Sequence, residues 1–226
     1  IRDSIYVVPD DSWRPWRVYV HDVGQGTEDH LIYEEPDNTM WLSAAMSSDR
    51  SSVVLTSSNS EYTEVRIVPT REPKGEPTLL IPKSAGIEYY AEPLNIAGEQ
   101  HLLIQHDYNA LNSELVLADM PREGESLEEY AQRWVPVIRH SEHVRLEGFT
   151  FTATHLVVTA RADTTTRIFL APREQLPVQW RRRRPAGVTF MEPAGFDEEL
   201  YTASVLRAEN YSPVLRIAYT SYLTPR

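Results

Sequence analysis

Few residues in this chain have the type and spacing for chemistry. His140-Ser141-Glu142-His143 places two imidazoles around a carboxylate, the best metal-ligand spacing in the sequence. Zinc needs three or four ligands, and no third group of matching spacing follows, so the segment reads as a solvated loop. His21, His30, His101, His106 and His155 fall on strands or turns and read as structural groups. Glu34-Glu35, Glu128-Glu129 and Glu198-Glu199 pair carboxylates in sequence, as a glycosidase must pair them in space. Adjacent residues on a strand point to opposite faces, so these pairs read as surface charge. Arg181-Arg182-Arg183-Arg184 is the one basic block. On a chain of net charge −11, with no stacking aromatics interleaved, it reads as a solvated loop rather than a nucleic-acid contact. Trp13, Trp16, Trp41, Trp134 and Trp180 lie near strand ends and read as packing between sheets.

Nucleophilic catalysis has no foothold. A hydrolase elbow needs Gly-x-Ser-x-Gly, and none of the nine glycines flanks a serine at that spacing. The absence of cysteine rules out thiolate catalysis, disulfides and Cys-ligated metals. Catalytic, cofactor-binding and metal-binding residues are therefore expected to be none. The cysteine-free composition also suits a reducing compartment, and with no signal peptide or long apolar run the expectation is a cytoplasmic protein with no membrane partner.

The elements are short and extended. Strand-like runs occur at Ile5–Val8, Arg17–His21, Leu31–Tyr33, Trp41–Met46, Val53–Ser57, Glu64–Val68 and Leu79–Ile81. They continue at Tyr89–Leu94, His101–His106, Glu114–Ala118, Val135–Ile138, Val144–Thr150, His155–Ala160 and Thr166–Leu170, and close with Val188–Met191 and Val214–Thr220. Val, Ile, Leu, Thr and aromatics dominate these runs, with turn formers between them. Only one segment reads as helix, opened by the Ser126-x-x-Glu129 capping box.

A repeat chooses the architecture. Runs centred on Val53, Leu102, Leu156 and Leu215 resemble one another at spacings of 49, 54 and 59 residues. Each of the first three precedes a second strand: Val65–Pro69, Leu115–Asp119 and Arg167–Pro172. Four-stranded units repeating at roughly 40–50 residues predict an all-β propeller of antiparallel blades. Ile5–Tyr33 supplies a blade whose first strand is absent or frayed, and Trp41–Pro82, Tyr89–Arg139 and Val144–Trp180 supply three full ones. Val188–Thr220 begins another. The expectation is one partial propeller domain over residues 1–226, and its open edges predict self-association when isolated.

Several stretches resemble the propeller of the oligopeptidase B branch of the prolyl-oligopeptidase family of serine peptidases. They are Tyr6–Val8 with Trp13–Val18 and Leu31–Asp37, Ser60–Arg66, Val144–Thr150 with His155–Val158, and Tyr219–Pro225. The resemblance implies a seven-bladed propeller, of which about four to five blades are present, covering an α/β-hydrolase domain that follows in sequence. It implies a parent enzyme that cleaves short cationic peptides after basic residues, with no cofactor. The propeller's part would be to gate entry of substrate. No position here matches the family's Ser-Asp-His triad, so this chain alone should be inactive. The alternative is a free-standing propeller that binds a protein or peptide.

Overall fold

The computed structural model describes residues 3–26, 28–96, 98–182, 188–193, 195, 201–206 and 212–221. Two compact units emerge: Ile1–Leu94 with Met120–Gln132, and Asn95–Asp119 with Arg133–Arg226.

In the first unit, β1 (Asp3–Pro9), β2 (Pro15–Asp22) and β3 (His30–Glu34) form an antiparallel sheet in chain order. The next sheet is β4 (Trp41–Met46), β5 (Ser52–Ser58), β6 (Thr63–Pro69) and β7 (Thr78–Leu79), again in chain order. Val18, Val20 and Ile32 from one sheet pack with Leu42, Val53, Leu55 and Val68 from the other. Burying each of these β-branched or leucine side chains stabilises by about 1.5–3 kcal/mol. β5 and β6 bury nearly every residue, because both faces of each strand are covered. Edge strand β4 instead alternates exposed and buried positions along its first half.

The third sheet has the order β11-β10-β9-β8, from β8 (Tyr89–Ile96), β9 (Glu99–His106), β10 (Glu114–Asp119) and β11 (Val135–Ile138). The boundary between the units falls within β8. Between β10 and β11 the chain makes the short helix α1 (Leu127–Ala131). Ser126 Oγ accepts the Glu129 N–H, and the Glu129 carboxylate accepts the Ser126 N–H at 2.9 Å. The capping box read from sequence is present. Ser126→Ala is expected to cost about 1 kcal/mol, read as a lower urea midpoint at unchanged m-value.

In the second unit β12 (Val144–Phe151), β13 (His155–Ala162) and β14 (Thr165–Pro172) form a three-stranded sheet. Asp163 and Thr164 join β13 to β14 with φ of 48° and 67°, the left-handed pair that a two-residue hairpin turn requires. Helix α2 (Gln175–Arg182) follows, then a two-stranded sheet of β15 (Tyr201–Val205) and β16 (Ile217–Ser221). Val157, Ile168 and Ala203 knit these last two sheets together.

Three expectations need correction. The strand expected at Leu79–Ile81 ends at Leu79, because the Tyr89 hydroxyl takes the Ile81 N–H at 3.1 Å and donates to the Ile81 carbonyl at 2.8 Å. Val188–Met191 makes only a single bridge, Met191 to Leu170. A second helix, α2, stands where the sequence reads as the end of a blade. Among the described residues no helix is long and apolar enough to cross a membrane.

Candidate functional site

The loop 140–143 is held as backbone. Asn112 Nδ2 donates to the Ser141 and Glu142 carbonyls at 2.9 and 3.1 Å. Among the described residues no group of three His, Asp or Glu side chains could hold a metal ion. His21 pairs with Asp29 at 2.7 Å, and His155 Nδ1 lies 2.8 Å from the Thr154 hydroxyl. Buried His101 has Nδ1 3.2 Å from Asp119 Oδ1 and its ring 4.6 Å from Trp180. That is an Asp–His pair across β9 and β10. His106 is buried against Trp134, ring centroids 4.4 Å apart.

The tryptophans divide into two sets. Trp134 and Trp180 pack on histidines, and Arg17 stacks 3.8 Å over Trp16. Trp13 and Trp41 do not pack between sheets: they are 80% and 58% exposed. Trp13 stands in the β1–β2 turn, and Trp41 opens edge strand β4. Of the basic block, Arg181 and Arg182 end α2, while Arg183 and Arg184 lie outside the described residues, as do Glu198 and Glu199.

Glu35 is not surface charge. It is 0% exposed, at the connection that leads from β3 to β4. Its neighbour Glu34 points the other way and binds Arg17 at 2.7 Å, so the opposite-face rule separates the pair correctly. Glu35 accepts hydrogen bonds from the Tyr33 hydroxyl at 3.0 Å, the Asp37 N–H at 3.0 Å and Lys83 Nζ at 3.1 Å. Burial alone would raise its pKa. Donors from Ser57, Asp37, Lys83 and Tyr33 outweigh that and hold the carboxyl below its ordinary range.

The network extends from there. Lys83 also binds Asp37 at 3.0 Å, and its backbone N–H donates to buried Glu64 at 3.0 Å. Arg66 contacts Glu64, donates to the Tyr33 hydroxyl at 3.0 Å and stacks on the Tyr33 ring at 4.5 Å. Burial would lower the Lys83 pKa, but its two carboxylate partners raise it instead. Hydrogen bonds from Thr39 and then Lys83 bring Asp37 down to about 2. Glu35, Asp37 and Lys83 therefore stay charged near neutral pH. A lysine between two ionised carboxylates is a poor base or nucleophile, so the arrangement is a tie between the two inter-sheet connections rather than a reaction centre.

Sequence alone did not reveal this tie, because Lys83 lies far along the chain from Glu35. One signal was available. Glu64 and Arg66 interrupt a strand whose other residues are nearly all apolar or buried, and a charge in such a strand must find a partner.

Two clefts accompany these features. One of about 500 Å³ in the first unit lies along β1 and β4, lined by Ile5, Ala44, Met46 and Val53. The other, of about 530 Å³ in the second unit, lies between the β12–β14 sheet and β15. Its charged lining residues Glu147 and Arg161 bind each other at 2.7 Å.

Known proteins account for a fold of this kind. Residues 6–226 match the family described as "Prolyl oligopeptidase, N-terminal beta-propeller domain". Protease 2 of Moraxella lacunata is 26% identical over 98% of this chain, which spans 28% of that protein. Dipeptidyl aminopeptidase BI of Pseudoxanthomonas mexicana is 28% identical over 65% of the chain and 19% of its own length. Among solved structures, oligopeptidase B from Leishmania major superposes with a TM-score of 0.76 at 23% identity, over 97% of this chain and 29% of that one. Oligopeptidase B from Trypanosoma brucei, with covalently bound antipain, gives 0.75 at 21% identity over 97% of this chain and 30% of that one. The sheets described above are thus blades of a partial β-propeller, and the chain belongs to the prolyl oligopeptidase N-terminal β-propeller family.

Proposed function

We propose that this chain is the non-catalytic, substrate-gating propeller of a cytoplasmic serine oligopeptidase that cleaves short peptides after basic residues. The family match over residues 6–226 carries the reading, because in Protease 2 the matched region is little more than a quarter of the chain. The catalytic groups then belong to the remainder of the polypeptide. Preference for basic residues is supported by the likeness to oligopeptidase B and by the net charge of −11, whose field attracts cationic peptides over about 8 Å in physiological salt. The propeller's contribution is steric and electrostatic: it covers the site, admits short chains and excludes folded ones.

The test is hydrolysis of paired fluorogenic peptides ending in Arg or in Pro. The full-length product is expected to release fluorophore from the Arg peptide, and the 226-residue chain alone to match the buffer blank. Turnover by the 226-residue chain, or a gene encoding no further domain, ends the reading. A full-length preference for the Pro peptide overturns the basic specificity alone.

A further inference from the structure

Glu92, on β8, is 5% exposed, and among the described residues it has no ion-pair partner. The Ser48 N–H and hydroxyl both donate to its Oε1, and the Tyr90 hydroxyl donates to Oε2 at 3.1 Å. Ser48 belongs to the turn between β4 and β5, which is closed by bonds of its own. The Ser47 N–H donates to the Ser52 carbonyl at 2.8 Å, and the Arg50 N–H donates to the Ser47 carbonyl at 2.9 Å. Arg50 takes the left-handed backbone, with φ at 59°. The Asp49 carboxylate accepts from the Ser47 hydroxyl at 2.8 Å, the Ser51 N–H at 3.0 Å and the Ser51 hydroxyl at 2.8 Å. Glu92 thus fastens a ready-made turn to β8. The turn continues directly from Met46, and edge strand β4 walls the first unit's cleft with Ala44, Ala45 and Met46.

The donors on Glu92 are neutral, and the charge that faces it is negative. Asp49 of the turn and the Tyr90 phenol of its own strand are the titratable groups that act on it among the described residues. Burial holds the Tyr90 phenol well above its ordinary range, so that hydroxyl keeps its proton. A buried carboxylate with neutral donors and a carboxylate nearby is costly, whereas the uncharged acid is not. Burial outweighs the Ser48 bonds and raises the Glu92 pKa above its ordinary 4.5. A proton on Oε2 leaves Oε1 accepting both Ser48 bonds, and the Tyr90 hydroxyl can turn from donor to acceptor. The attachment is complete below pH 4.5 and weakens as pH rises through the raised value. We propose that Glu92 is a pH-sensitive clasp on the β4–β5 turn, closed by a proton and loosened by ionisation, which sets how firmly the Met46 end of β4 is held beside the cleft.

Hydrogen exchange of the full-length polypeptide tests it, read by mass spectrometry on residues 47–52 and corrected for the intrinsic pH dependence of amide exchange. Protection of that segment reports its local opening. From about pH 5 to about pH 8 it is expected to fall at least about fivefold relative to Glu92→Gln, which keeps an acceptor for Ser48 and has no proton to lose. Over the same range α1 (Leu127–Ala131) is expected to keep a constant ratio of protection between the two proteins. A constant ratio for residues 47–52, or an equal change in α1, overturns the clasp. Asp49→Asn keeps an acceptor for the turn's own bonds and removes the facing charge. In that variant the loosening is expected to move to lower pH, and a midpoint that stays in place counts against the proposal.

Discussion

Lys83→Met is expected to lower the unfolding free energy by about 3 kcal/mol. Among the described residues the ammonium is the one full positive charge bound to Glu35, whose carboxylate is 0% exposed. Without it, the Glu35 charge keeps only neutral donors: the Tyr33 hydroxyl, the Asp37 N–H and Ser57. A buried charge left without its partner is more costly than the pair was beneficial, so the double variant Lys83→Met/Glu35→Gln should recover more than half of the loss. Urea unfolding of the two singles and the double measures the coupling. Additive losses would mean that the two side chains do not depend on each other.

Acid is expected to act through a different residue. His106 is 3% exposed on β9, and neither ring nitrogen has a hydrogen-bond partner. Burial pushes its pKa down from 6.5 to about 4. A depressed folded-state pKa means that the unfolded chain takes up the proton first as pH falls. This contribution to stability is therefore complete above about pH 6.5 and disappears progressively between there and pH 4. The shift corresponds to about 3 kcal/mol. His106→Phe keeps the ring against Trp134 and has no proton to gain, so its stability should fall less than that of the parent chain across that window. Urea midpoints at pH 7, 5.5 and 4.5 decide the matter, and parallel declines in both proteins would remove His106 as the cause.

Most of the sheet architecture could be read from the sequence because the strand signal is local. Short runs of Val, Ile, Leu and Thr bounded by turn formers match β4 and β11 residue for residue, and bracket most other strands within a residue or two. The failures have local causes as well. Residues up to Trp180 read as the end of a blade, yet 175–182 form a helix, with Pro177 in its first turn, where a missing N–H has no intrahelical partner. β15 buries only Ala203, so its alternation carried little signal. Ile81 is as apolar as any strand residue, but a hydroxyl from Tyr89 stands in for the ladder partner.

The candidate site was far less legible, since it depends on charges brought together from distant positions. Glu35 next to Glu34 looks like solvated acid, and nothing in their spacing predicts that one is paired at the surface and the other sealed against a lysine. Trp13 shows the converse: hydrophobicity suggested burial, whereas the Asp10 and Arg14 bonds that hold it outside depend on side-chain direction.

Within each sheet, every strand is bonded to the strand that precedes or follows it in the chain. A ribosome therefore releases these sheets as self-sufficient parcels: a hairpin can zip once its second strand emerges, without waiting for anything made later. The same wiring lets ancestral recombination add or drop a four-stranded parcel without rerouting its neighbours, since the chain enters and leaves such a sheet at the same end.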